Sequence, residues 1–339
     1  MAKIIGGSFG LHIEPDDGAS APPFMPDGCL CLINARSCIR RVIESLRPGN
    51  VWCPSYLCHT IIDAIPPGHS AQFYGVDSGL TINSADWLDS VQRGDLVIFI
   101  DYFGFDSDPF FLKRAKERDA YVLEDASQAL LSAHDGRDAD YVVYSPRKFV
   151  GVPDGGIVTF RYDMQALDAG NDAFPDKWWV ESLRASMMRR EFDLYDGQEN
   201  WFDMKQRAES SMPTGNYAMS QLSQALLRHH FNYSAIARQR RHNYQTLADL
   251  LPRYALFPWL PEGVVPLGFP IRLKERDRIR HALFSHGIYP PVHWPIQGIV
   301  PHSFTDSHIL AREIMTLPCD QRYGHDDMVW MAHVLQEYL

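Results

Sequence analysis

The chain has 339 residues, enough to bury a substantial core in one large and one smaller domain. Hydrophobic residues make up 45% and charged residues 22%, the balance of a globular protein. The net charge of -10 argues against nucleic acid as the main partner, because neutralising phosphates needs a basic face, and no apolar run is long enough for a bilayer-spanning helix.

Over the first two thirds, short apolar runs alternate with helical patterns. Cys29–Ile33 predicts a strand, followed by a helix from Ser37 to Leu46. Val51–Cys53 predicts a short strand, followed by a helix through Leu57–Ile65. Ala71–Tyr74 and Leu96–Ile100 read as buried strands, Pro109–Arg118 as an amphipathic helix, and Tyr121–Leu123, Tyr141–Tyr144 and Ile157–Phe160 as strands again. This alternation predicts βαβ units and an α/β fold with a mainly parallel sheet, whose ligands bind at the carboxyl ends of the strands.

Beyond Phe160 the pattern from Met164 to Leu251 is largely helical, interrupted near Met212-Pro213-Thr214-Gly215. The remainder predicts a small α/β unit: a strand over Val264–Leu273, helices over Glu275–His286, Ile309–Met315 and Asp326–Tyr338, and a Pro-rich loop from Tyr289 to Pro295. We place the expected domains at residues 1–228 and 229–339. The basic runs Met188-Arg189-Arg190 and Arg238-Gln239-Arg240-Arg241-His242 read as solvated helix faces or an interface. Cys29, Cys31, Cys38, Cys53, Cys58 and Cys319 read mostly as small buried hydrophobes of a reducing compartment. His229-His230 lacks a second ligand cluster, so no metal is expected. There is no N-terminal signal pattern, and a cytoplasmic protein is expected.

The chemistry concentrates between Leu123 and Val158. Asp125 ends the run Tyr-Val-Leu-Glu-Asp, at the tip of a buried strand. It suits either a buried cation or the cap of the next segment. Lys148 follows another strand. A partly desolvated lysine there has a lowered pKa and can form a Schiff base with an aldehyde; the alternative reading is an ordinary surface lysine. Asp and Lys together meet the requirements of pyridoxal phosphate: a lysine for the aldehyde and an acid for the pyridinium nitrogen. Gln128 lies within reach of the same ring, Ser145 offers a hydroxyl to a phosphate, and Gly155-Gly156 would let the backbone pass close to a ligand.

These segments, over most of the chain, resemble the DegT/DnrJ/StrS-type sugar aminotransferases, a branch of the fold-type I, aspartate-aminotransferase-like enzymes. Asn34-Ala35-Arg36-Ser37 is similar to the family's phosphate-cradling Asn-Ser-Gly-Thr turn, and Val51-Trp52-Cys53-Pro54-Ser55-Tyr56 to its Val-Pro-Ser-Phe segment. Glu124-Asp125-Ala126-Ser127-Gln128 is similar to Glu-Asp-Ala-Ala-Gln, and Gly215-Asn216-Tyr217-Ala218-Met219 to Gly-Asn-Tyr-Arg-Met. Residues 287–293 and Leu317-Pro318-Cys319 match C-terminal landmarks. The resemblance implies a mainly parallel seven-stranded sheet between helices, a smaller C-terminal α/β domain, and a homodimer with shared active sites. It implies that Lys148 carries pyridoxal phosphate and that Asp125 pairs with the ring nitrogen. Gln128 would bond the phenolic oxygen, and Ala35, Arg36, Ser37, Ser145 and the partner subunit's Asn216 would hold the phosphate. The implied reaction moves an amino group from glutamate or glutamine to a keto acceptor, usually a nucleotide-linked keto sugar.

The departures are specific. Ser145-Pro146-Arg147-Lys148 is two residues shorter than the family's Ser-to-Lys segment, and Arg36 replaces a glycine. The aromatic that stacks on the ring falls at Cys58, leaving Tyr56 or His59 as substitutes. His293 reads either as a substrate-side group or as a loop histidine bonded to backbone. A sugar dehydratase and a catalytically degenerate binding or scaffold protein are the alternatives. The dehydratases in question replace the lysine by histidine, whereas Lys148 is present here.

Overall fold

A computed structural model describes residues 4–133, 138–161, 164, 167–168, 172–195 and 200–339. The strands, in chain order, are Ile5–Gly6 (β1), Leu30–Leu32 (β2), Asn50–Pro54 (β3), Ser70–Tyr74 (β4), Leu96–Ile100 (β5), Tyr121–Asp125 (β6), Tyr141–Tyr144 (β7), Gly156–Phe160 (β8), Phe269–Arg272 (β9), Ile288–Tyr289 (β10) and Ile314–Leu317 (β11). The helices are Ala35–Leu46 (α1), His59–Ala64 (α2), Pro109–Lys116 (α3), Asp176–Tyr195 (α4), Trp201–Ser210 (α5), Gln221–His229 (α6), Tyr233–Leu250 (α7), Arg276–Phe284 (α8), Thr305–Glu313 (α9) and His325–Gln336 (α10).

Seven strands form one sheet in the order β2-β8-β7-β6-β5-β3-β4. Neighbours from β7 to β4 pair in parallel, and β8 runs antiparallel to both β2 and β7. The carboxyl ends of β2, β3, β5, β6 and β7 therefore share one edge with the start of β8. That edge gathers Asn34, Asp125, Ser145 and Gly156. Strand β5, Leu-Val-Ile-Phe-Ile, is buried at every position, as a parallel strand covered on both faces must be. Helix α1 buries Cys38, Ile39, Val42 and Ile43 on one face, and its start is capped by Asn34, whose side chain accepts from Ser37 N at 2.8 Å.

A second core joins Tyr244 and Leu247 of α7 to Phe269, Ile271, Leu283, Met315, Leu317 and Met331. Ile5 enters it from the N-terminus, because β1 pairs in parallel with β10. The expected strand over 264–273 is confined to β9, since Pro266 and Gly268 interrupt the run ahead of it. The expected helix over 309–315 ends at Glu313, and Ile314–Leu317 instead pairs antiparallel with β9. Every residue of β11 is buried, and a short, mostly apolar run carries no period that separates strand from helix. The expected helical span 164–251 is helical over α4 to α7 with a break at 211–220; residues 165–166, 169–171 and 196–199 lie outside the described residues.

The basic runs are only partly solvated: Arg238 and His242 are exposed, but the central arginines are not. Arg240 is 0% exposed, and Arg241 donates to the carbonyls of Pro261 and Val264. Arg189 is buried against Trp201, 4.3 Å from its ring centre, and pairs with Asp193. Charge runs look solvated in one dimension; here the guanidinium groups serve backbone carbonyls that the loops leave without partners.

Candidate active site

Strand β6 delivers Asp125 to the carboxyl edge of the sheet, where its side chain is buried and Oδ1 accepts from Ser127 N at 3.0 Å. The tight turn that follows places Gln128 inside the fold. Its Oε1 accepts from Phe103 N at 2.7 Å, which fixes the amide orientation, and its Nε2 is a buried donor with no acceptor among the described residues. Phe103 holds a left-handed backbone, φ 57°, which costs a residue with a Cβ about 1–2 kcal/mol. That conformation turns its N–H onto Gln128.

The Phe103 ring meets the edge of the His293 ring at a centroid distance of 5.5 Å. His293 Nδ1 shares a 2.9 Å hydrogen bond with Thr316 Oγ1, so the partner is a side chain rather than backbone. Burial, reinforced by the Lys148 charge, pushes the His293 pKa down to about 3 and keeps the imidazole neutral.

Lys148 ends a short 3₁₀ turn, Pro146–Lys148, directly after Ser145 and β7. Its N–H donates to Ser145 O at 3.2 Å. The side chain is exposed, and its amine has no hydrogen-bond or ion-pair partner among the described residues. Partial desolvation is the expectation; the lysine instead faces an open cavity of about 530 Å³, while Ser145 at the start of the turn is buried. The N-terminal segment Gly6–Phe9, helix α5, and His293 with Thr316 form the other walls.

At the start of α1, Ser37 is buried and its Oγ accepts from Gly215 N at 3.2 Å, while Asn34 Nδ2 donates to Pro213 O at 2.8 Å. Ile33 N donates to Tyr217 O at 2.9 Å and Met219 N to Cys31 O at 3.2 Å, so the loop carrying Asn216 lies along the sheet edge formed by β2. Asn216 N donates to Asp172 Oδ2 at 2.8 Å. Ala35 opens the helix, and the buried Arg36 Nε has no acceptor among the described residues. The Gly155-Gly156 pair lets the backbone pass close to the start of α1. A Cβ on Gly156 would fall 2.1 Å from the Asn34 carbonyl carbon, and Gly155 has φ +136°.

Of the residues expected at the ring face, Tyr56 is fully buried, packed against Trp294 at 5.6 Å and Tyr102 at 6.1 Å. Cys58 is half-buried and accepts from Thr60 Oγ1 at 3.1 Å. The His59 side chain is 58% exposed and lies 3.8 Å from Asp63. Trp178 and Trp179 are packing residues, donating to Ala208 O and Asp154 Oδ1; the indole on the cavity wall belongs to Trp201.

No protein-family model and no curated protein matches the chain. Solved structures do. An aminotransferase from Helicobacter pylori involved in the biosynthesis of pseudoaminic acid, PseC, is 14% identical, with 99% of each chain covered and a TM-score of 0.67. A DegT DnrJ EryC1 StrS aminotransferase from Brucella abortus is 15% identical, covering 91% of this chain and 85% of its own, with a TM-score of 0.62. NtdA from Bacillus subtilis, solved with bound cofactor PMP, is 16% identical, covering 91% of this chain and 73% of its own, with a TM-score of 0.63. This chain has the fold of the DegT/DnrJ/EryC1/StrS-type aminotransferases. In that fold, the mainly parallel sheet between helices agrees with the architecture expected from the alternating pattern.

Sequence reasoning did not single out Phe103, Thr316, Lys205, Glu209 or Trp201. Lys205 and Glu209 carry a visible signal, an i,i+4 charged pair on one helix face. Phe103 carries none, because its left-handed backbone is set by the turn into which it is packed.

Proposed function

We propose that this chain is a pyridoxal-phosphate-dependent aminotransferase. It passes an amino group from an amino acid, glutamate or glutamine, to a keto acceptor, a nucleotide-linked keto sugar. The observation that carries the reading is the unpartnered Lys148 amine at the cavity, on the same sheet edge as the Asp125 carboxylate and the orphan Gln128 donor.

The residues present fit the cofactor. Gln128 Nε2 is a fixed donor without an acceptor, suited to a phenolate oxygen, and the N-terminus of α1 presents free backbone N–H groups beside the Ser37 hydroxyl, suited to a phosphate. Pyridoxal phosphate, when bound, supplies an aldehyde carbon and an electron-withdrawing ring. Lys148 Nζ would be the attachment point, and its free amine would move the proton at the donor Cα. Asp125 would pair with the ring nitrogen. Ala35, Arg36, Ser37 and Ser145 would hold the phosphate, joined by Asn216 of the partner subunit. With Cys58 at the stacking position, Tyr56 or His59 would supply the aromatic face for the ring. His293, neutral and held by Thr316, contacts substrate as a hydrogen-bonding group rather than a charge.

The active unit is a homodimer of small-molecule-processing subunits, working in the cytoplasm without nucleic acid or membrane. The test is the visible absorbance spectrum with added pyridoxal phosphate, before and after borohydride, compared with Lys148→Ala. A band abolished by borohydride with a covalent adduct mapped to Lys148 supports the reading; identical spectra and no adduct overturn it.

A further inference from the structure

Beside Lys148 the cavity wall carries a charge cluster that the cofactor roles above do not use. Arg147 Nη2 donates to Glu209 Oε1, and Nη1 lies 3.4 Å from Met212 Sδ. Lys205, one turn earlier on α5, places Nζ 3.2 Å from the same Oε1. Arg36 adds a third positive charge close enough to act on Glu209. The Nε atoms of both Arg147 and Arg36 are buried without an acceptor among the described residues. Cations therefore outnumber the single carboxylate. Burial opposes the charge on Glu209, yet Arg147 and Lys205 outweigh it and hold its carboxyl below the usual range. The Lys205 amine is itself lowered by burial and by Arg147. Across the cavity, Asp320 and Arg322 satisfy each other at 2.8 Å and offer no spare charge.

We propose that Arg147 and Lys205 bind a carboxylate of the amino donor, and that Glu209 occupies this subsite in the donor's absence. The inference rests on the aminotransferase reading. Three features favour a carboxylate. The two side chains already converge on a carboxylate oxygen, and the planar guanidinium fork matches that group. Arg147 also precedes Lys148 directly, and both line the same cavity as Lys205 and Glu209, so the proposed subsite opens into the space that Lys148 faces. Glu209 prevents two half-buried cations from facing the cavity unpaired, and it yields to a ligand that brings its own carboxylate.

The test uses the holoenzyme and glutarate, a dicarboxylate without an amine, titrated by tryptophan fluorescence, with Trp201 on the cavity wall as reporter. Arg147→Met and Lys205→Met should each weaken glutarate binding by about tenfold or more, the scale of a lost charge-assisted hydrogen bond, whereas Glu209→Gln should tighten it. The KM for L-glutamate in the first half-reaction should move in the same directions, while the acceptor KM stays fixed. Circular dichroism and melting curves confirm that each variant is folded. A purely structural ion pair would move all three variants alike, so a common direction, or no shift, overturns the proposal. An effect confined to the acceptor also overturns it, assigning the cluster to an anionic group of the acceptor instead. Absence of the borohydride adduct in wild type would overturn the aminotransferase reading alone; opposite shifts in glutarate binding would still establish the carboxylate subsite.

Discussion

Arg240 holds Phe149 twice. Its guanidinium carbon lies 4.3 Å from the centre of the Phe149 ring, and its Nη2 donates to the Phe149 carbonyl at 3.4 Å. Gln321 Nε2 donates to the same carbonyl at 2.6 Å, and Arg240 Nε donates to Gln321 Oε1 at 2.8 Å. Arg240 Nη1 also serves the carbonyls of Pro266 and Leu267, each at 3.0 Å. The residue after Lys148 is thereby fastened to α7 and to the segment leading into β9. Removing the guanidinium leaves buried acceptors unpartnered, at about 1–3 kcal/mol each in similar cases. We expect Arg240→Met to destabilise the fold by about 3 kcal/mol and to loosen cofactor attachment. Urea unfolding together with the rate of borohydride trapping at Lys148 checks both; an unchanged midpoint refutes the keystone role.

The Gln128 amide separates folding from cofactor binding. Gln128→Glu keeps an acceptor for Phe103 N but deletes the Nε2 donor; Gln128→Leu deletes both. The leucine variant should lose about 1–3 kcal/mol of stability, because the Phe103 N–H is left buried and unpaired. The glutamate variant should be closer to wild type in stability yet bind pyridoxal phosphate more weakly. Melting curves and a spectrophotometric cofactor titration read the two effects apart.

His293 should make the protein acid-sensitive. Its folded-state pKa of about 3 lies below the ordinary 6.5, so between those values the unfolded chain binds a proton that the folded chain refuses. Stability from this group is complete above pH 6.5 and falls as pH drops towards 3, with a slope of at most about 1.4 kcal/mol per pH unit. The groups facing the ring include Lys148, Thr316, Phe103 and Trp294, and of these only Lys148 carries charge. His293→Gln should flatten the dependence of the melting temperature on pH between 6.5 and 4; a parallel dependence in both proteins would refute the assignment.

Shared sites predict complementation. Lys148→Ala and Asn216→Ala homodimers should each be impaired. If Asn216 serves the partner's cofactor, mixing the two by reversible denaturation creates heterodimers with one intact and one doubly altered site, and about a quarter of wild-type sites return. If Asn216 acts within its own chain, no site is restored. Activity of the mixture against its components decides.

Much of the large sheet was readable in the chain. Strands such as Leu96–Ile100 are apolar throughout and end at turn-forming residues, and both properties are local. The spacing of Asp125, Gln128, Ser145 and Lys148 carried a chemical proposal for the same reason: each residue sits at or just past a strand end, and parallel strands bring their ends to one edge. The solvated reading of Arg240 and the helix over 309–315 failed because burial is decided by partners remote in sequence. Arg240 meets Phe149 across 91 residues, and Ile314 pairs with Arg272. The sequence by itself determined the element types of the large sheet and the chemistry available at its strand ends. Tertiary structure alone decided which cations are buried, which donor of Gln128 is left without a partner, and that Arg147, Lys205 and Glu209 meet beside Lys148. Hydrogen-bond satisfaction and desolvation are properties of the packed environment, and neither is written in any local stretch of chain.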